Sequence, residues 1–158
     1  MKKHPTVLQE AREEAEKLIA PLLERKKILF VCRENACRSQ MAAAFAQYLA
    51  GDKLEVVSGG SNPANEINPV MIEVMAEKGI DMAFRIPESI DSAIAYTKPD
   101  YMITMGCKEV FPSVSSVRKI DWDLPDPASE SIDFMRKVRD EIEEKVIQLI
   151  KNFRVSTS

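Results

Sequence analysis

Apolar residues recur along this chain in two alternating rhythms. Over residues 6–26 they fall at Leu8, Ala11, Ala15, Leu18, Ile19, Leu22 and Leu23, with Glu and Lys between them. That spacing is one face of an amphipathic helix, kinked or restarted at Pro21. The segment Lys27–Cys32 is almost wholly apolar, as a central parallel strand covered on both faces requires. From Cys37 a helical pattern runs through Met41, Ala44, Phe45, Tyr48 and Leu49 to a stop at Gly51. Leu54–Ser58 reads as a second strand, and Gly59-Gly60-Ser61-Asn62-Pro63 as a turn or loop. Asn68-Pro69 opens a helix, with asparagine as cap and proline at the first helical position, and this helix ends at Gly79. A short helix is expected over Ser89–Ala95, strands over Tyr101–Met105 and Val117–Trp122, and a proline-containing loop over Asp123–Ser129. A closing helix from about Glu130 to Asn152 places Ile132, Met135, Val138, Ile142, Val146, Ile147 and Ile150 on one face.

Strands alternating with helices imply an α/β fold, a doubly wound sheet of four parallel strands with helices on both faces. The 158 residues fit one such domain over 27–152, preceded by a helical extension over 1–26 and followed by a flexible tail over 153–158. The extension is either extra cover for the fold or a docking or dimer surface, and the expected state is a monomer or weak dimer.

Composition narrows the function. With 22 Lys and Arg against 25 Asp and Glu, the net charge of −3 offers no field for nucleic acid or an anionic membrane. No apolar run approaches a membrane span, and the polar start does not resemble a secretory signal, so a cytoplasmic protein is expected. Three cysteines, an odd number, argue for free thiols in a reducing compartment. No Cys-x2-Cys pair exists to suggest a metal site. The one histidine, His4, lies in a segment expected to fray, which all but removes Ser-His and Cys-His pairs from consideration.

The chemistry concentrates in Cys32-Arg33-Glu34-Asn35-Ala36-Cys37-Arg38-Ser39, between a strand and a helix. In open α/β sheets ligands bind beyond the carboxyl ends of strands, where loops enter helices. A loop curled there turns backbone N–H groups inward at a positive helix end, a nest for a tetrahedral oxyanion. Helix dipole, loop amides and Arg38 all favour a thiolate at Cys32, so no histidine is needed. Arg38 can meet two oxyanion oxygens with its planar fork, Ser39 can donate to the thiolate, and Asn35 suits a left-handed turn. No Gly-Lys-Ser/Thr is present, so a phosphate-loop NTPase is ruled out.

The run from Ile28 to Leu49 resembles the start of a low-molecular-weight tyrosine phosphatase fold, specifically its arsenate reductase branch. Matching segments follow in order: Val57-Ser58-Gly59-Gly60, Ile67-Asn68-Pro69, Lys78-Gly79-Ile80-Asp81, Ile103-Thr104-Met105-Gly106-Cys107, and Asp121 through Ala128. The resemblance implies that Asp126, before Pro127, is the general acid over the anion loop, and that Cys107 attacks the sulfur of a cysteinyl-arsenate on Cys32. Cys37 is the alternative second thiol. Arsenate, with phosphate as its analogue, is the implied oxyanion. Gln40-Met41-Ala42 also looks like the reductase branch, and Ala128-Ser129 lacks the tyrosines with which phosphatases clasp an aromatic substrate.

Two departures bear on the cycle. Phe111 precedes Pro112 where thioredoxin-coupled relatives carry a further cysteine. Either thioredoxin therefore attacks a Cys32–Cys107 disulfide directly, or a low-molecular-weight thiol completes the cycle. Ala43 stands where some relatives place a glutamate at a potassium site, so no bound cofactor or metal is expected. The rival enzymatic reading is a phosphatase hydrolysing a cysteinyl-phosphate; a non-enzymatic one is an oxyanion- or arsenic-binding regulator.

Overall fold

The computed structural model describes residues 6–14, 25–96, 98–106 and 117–156. Helix α1 occupies residues 7–14, and the elements after it are β1 (Lys26–Cys32), α2 (Arg38–Ala50), β2 (Leu54–Gly60), α3 (Pro69–Ala76), α4 (Ile90–Ala93), β3 (Tyr101–Thr104), β4 (Arg118–Asp121) and α5 (Ile132–Ser156). The four strands form one parallel sheet in the order β2-β1-β3-β4. The chain steps outward from β1 to β2 and then returns to the opposite side of β1. The C-terminal end of β1 thus lies at the point where the winding reverses, the usual place for a crevice in such sheets.

β1 earns its central position by burying both faces. Ile28, Phe30 and Cys32 point into the larger core with α2, α3 and α5, while Leu29 and Val31 point into a smaller one with Ile90 and Ala93 of α4. Ala42, Ala43, Ala44 and Ala46 are all buried, and these short side chains let α2 lie close to both the sheet and α5. Asn68 caps α3 as its sequence foretells, its Oδ1 accepting from the N–H groups of Val70 and Met71 at 2.9 and 3.2 Å.

Three expectations need correction. Gly59 and Gly60 do not turn the chain but complete β2, because other backbone passes where their side chains would stand. A Cβ on Gly59 would meet Ile90 Cα at 2.8 Å, and one on Gly60 the Arg33 carbonyl at 2.6 Å. The tail expected from residue 153 is helical to Ser156, and Phe153 meets Tyr101 edge-on at 4.9 Å. Lys26, assigned to the extension, already belongs to β1. Of the amphipathic extension, residues 6–14 are wholly exposed and cover no core, while Pro21 and the rest of 15–24 lie outside the described residues.

Glu77, just past α3, ties that helix to α5. It accepts from Arg136 Nη2 at 2.8 Å and from Arg139 Nη1 at 2.6 Å, and these hydrogen bonds hold its carboxyl down at about 2. A carboxylate lowered on folding contributes stability above its unfolded value, and that contribution disappears as pH falls through the folded one. Glu77→Gln is therefore expected to lower the melting temperature at pH 7 and to match the parent near pH 2, as thermal melts across pH will show.

Candidate active site

β1 ends at Cys32, and the next five residues curl before α2 begins at Arg38. The curl is possible because Asn35 adopts φ +51, a left-handed conformation that asparagine tolerates. The carbonyls of Arg33, Glu34 and Ala36 face outward, where they accept from the N–H groups of Asn62, Ala64 and Asn68 at 2.8, 3.0 and 2.9 Å. With its carbonyls on the convex side, the loop presents its N–H side to the hollow, the arrangement of an anion nest at a helix N-terminus. Gly60 allows this close approach, since the loop backbone passes over it.

The hollow is a cavity of about 160 Å³ lined by Cys32, Arg33, Glu34, Ala36, Cys37, Arg38, Asn68, Asp126 and Ala128. Cys32 is 3% exposed, and its Sγ lies 2.8 Å from Ser39 Oγ. Ser39 Oγ in turn accepts from Asn35 Nδ2 at 2.8 Å, which leaves its hydroxyl hydrogen for the sulfur. Asn35 is oriented from behind: its Oδ1 accepts from Gln40 Nε2 and from the Glu88 N–H, each at 2.9 Å. Gln40 also donates to the carbonyls of Asn35 and Ile86, both at 3.1 Å. The sulfur thus faces the hollow, fixed by side chains whose own partners are satisfied.

Arg38 is buried, and its Nη1 donates to the carbonyls of Met105 at 2.5 Å and Leu124 at 2.9 Å. Those bonds hold the guanidinium plane, and Nη2 stands 4.0 Å from Asp126 Oδ2. Gly106, at φ +77, completes the seat, because a Cβ there would meet the Leu124 carbonyl at 2.8 Å. The loop carrying Asp126 is pinned by buried Trp122, Leu124 and Pro127, with Trp122 tilted against Phe30 at 5.8 Å. Asp126 itself stays exposed. One carboxylate oxygen accepts from the Ala128 N–H at 3.0 Å, and the other faces Arg38. A carboxyl at the rim opposite a nucleophilic sulfur is placed to protonate an oxygen leaving an anion in the cavity.

The structure therefore brings together Cys32, Arg38, Ser39, Asn35 and Asp126, with Arg33 and Glu34 exposed at the mouth and Ala36 in the wall. Cys37 also borders the cavity, but its Sγ donates to the Met135 sulfur at 3.4 Å. Burial first, then the neighbouring Cys32 and Asp126, push the Cys37 thiol up, against a smaller opposing effect of Arg38, so it stays protonated. Cys107, with Phe111 and Pro112, lies outside the described residues. Among the described residues, no three His, Cys, Asp or Glu side chains gather as a metal site would require. No helix there is long and apolar enough to cross a membrane. Sequence reasoning missed two contributors. Asn68 was read only as a helix cap, and nothing foretold that Gln40 clamps Asn35.

Comparison with known proteins places the chain in a family. Residues 27–157 match the family model described as low molecular weight phosphotyrosine protein phosphatase. A glutaredoxin arsenate reductase of Synechocystis sp. is 35% identical over 130 residues, spanning 79% of this chain and 96% of that protein. The solved structure of an arsenate reductase in its phosphate-binding state superposes with a TM-score of 0.71 at 35% identity, covering 80% of this chain and 98% of that one. A thioredoxin-dependent arsenate reductase of Corynebacterium glutamicum gives a TM-score of 0.70 at 32% identity and covers 94% of this chain and 73% of its own. With the family model matched over residues 27–157 and relatives at about 35% identity along most of their length, the chain belongs to the low molecular weight phosphotyrosine protein phosphatase family.

Proposed function

We propose that this protein is an arsenate reductase that works through thiol chemistry, and the observation that carries the reading is the Cys32 sulfur facing a small oxyanion cavity beside Arg38 and Asp126. Arsenate sits in the ring of loop amides with its charge met by Arg38. The Cys32 thiolate attacks arsenic, an S–As bond forms, and the departing oxygen leaves as water with the proton that Asp126 supplies. Cys107 then attacks the Cys32 sulfur. A disulfide forms, the S–As bond breaks, and its electron pair stays on arsenic, which falls from the +5 to the +3 state and leaves as arsenite. Two thiols are thereby oxidised for each arsenate reduced.

An external thiol returns the disulfide to two thiols, in keeping with the thioredoxin- and glutaredoxin-linked names of the relatives. Thioredoxin acting directly on the Cys32–Cys107 disulfide fits the absence of a cysteine at Phe111. A reducing cytoplasm is the compartment in which such free thiols persist. Cys37, buried and protonated, serves as wall rather than redox partner. The family's phosphatase chemistry shares the first step but ends in hydrolysis by water. Against it stand the small cavity and Ala128, which offers no aromatic wall for an aryl ester.

The test is an arsenite-formation assay with thioredoxin and with low-molecular-weight thiols in parallel, beside an aryl phosphate control. Thiol-dependent arsenite production with feeble aryl phosphate hydrolysis is expected. Brisk, thiol-independent hydrolysis without arsenite would make the protein a phosphatase.

A further inference from the structure

Asn68 has one amide but two neighbours to serve. Its Oδ1 is consumed by the first turn of α3, accepting from Val70 N and Met71 N. Two N–H donors at one atom require that atom to be the oxygen, which fixes the orientation of the amide. Its backbone is equally fixed, because the Asn68 N–H donates to the Ala36 carbonyl on the back of the anion loop at 2.9 Å. The residue nonetheless lines the cavity, beside Cys32, Ala36 and Arg38. With Oδ1 committed to the helix, the polar atom left for the cavity is Nδ2, and it has no acceptor among the described residues.

We propose that Asn68 Nδ2 is a further oxyanion donor, binding an oxygen of arsenate from the cavity wall at the start of the helix it caps. The inference rests on the arsenate reductase reading and deepens it by adding a donor from outside the Cys-x5-Arg loop. The cap explains why the donor can be effective. A freely rotating asparagine would have to be immobilised on binding, whereas this one is already held by three bonds before arsenate arrives, so little ordering cost remains. As an amide it adds no charge. It therefore grips the anion without strengthening the positive field around Asp126, which must release a proton into the same cavity.

The test separates cap from donor. Serine and aspartate both cap helices well, so Asn68→Ser and Asn68→Asp keep the first turn of α3 while removing the amide hydrogens. Binding is read without turnover. Reduced protein is alkylated with iodoacetamide at increasing arsenate or inorganic phosphate, modification of Cys32 is followed by peptide mass spectrometry, and melting temperatures are taken alongside. The half-protecting concentration is expected to rise about tenfold in Asn68→Ser, the scale of one hydrogen bond to a charged group. It should rise further in Asn68→Asp, whose carboxylate repels the anion, with melting temperatures near the parent's in both. Half-protection in Asn68→Ser equal to that of the parent would overturn the proposal and leave the reductase reading standing. A parent protein whose Cys32 neither anion protects would remove the oxyanion site itself, and both readings with it.

Discussion

Replacing Cys32 by serine is expected to lower arsenate reduction by about 10⁴-fold or more, the scale on which removal of a nucleophile acts in other covalent enzymes. A serine hydroxyl stays protonated in this setting, and no histidine stands by to take its proton, since His4 is the only one in the chain. The size of the effect follows from what the site lacks. Ser39 Oγ, 2.8 Å from the sulfur, has a hydrogen to donate to an anion at position 32, while a neutral serine hydroxyl is far too weak a base to deprotonate another hydroxyl. The cavity's amides and Arg38 remain in place, so phosphate should still bind to Cys32→Ser within a few-fold of the parent. Arsenite formation and calorimetric phosphate binding, measured on the same preparation, check both halves. A variant that reduces arsenate at an appreciable rate would move the nucleophile elsewhere.

Cys107→Ser is expected to fail differently. The first half of the reaction needs only Cys32, Arg38 and Asp126, so one round of adduct formation should survive, while thioredoxin-driven turnover falls by about 10³-fold or more, a loss in the range seen when a covalent cycle is cut midway. The chain reaches Cys107 two residues after Met105, whose carbonyl Arg38 holds. Steady-state arsenite production with thioredoxin as sole reductant, against a rapid single-turnover measurement, distinguishes the two phases. Multiple turnovers by Cys107→Ser under those conditions would assign the second attack to an external thiol.

The features legible in the sequence were those carried by short contiguous stretches. Cys32 through Ser39 announced a strand, a loop and a helix whose chemistry depends on neighbours in the chain, and Asp126-Pro127 announced an exposed turn. Asn68-Pro69 announced a helix start, because capping is a matter of three residues. What stayed hidden depends on residues far along the chain. Gly59 and Gly60 looked like a turn because nothing in their surroundings reveals that Ile90 and Arg33 will lie against them. Nothing beside Cys37 in the sequence reveals that its Sγ will meet the Met135 sulfur, 98 residues further on. Gln40 shows no sign of its clamp, which spans Asn35 and Ile86. The same holds for Phe153, whose ring partner Tyr101 lies on β3.

Cys32 terminates an interior strand, with β2 hydrogen-bonded on one side and β3 on the other. Such a strand is among the last parts of a protein to exchange its amides with solvent, because freeing it means dismantling the whole sheet. Partial openings at the edges therefore leave the nucleophile seated. For the proposed nucleophile, thermal inactivation and loss of the native state are expected to coincide.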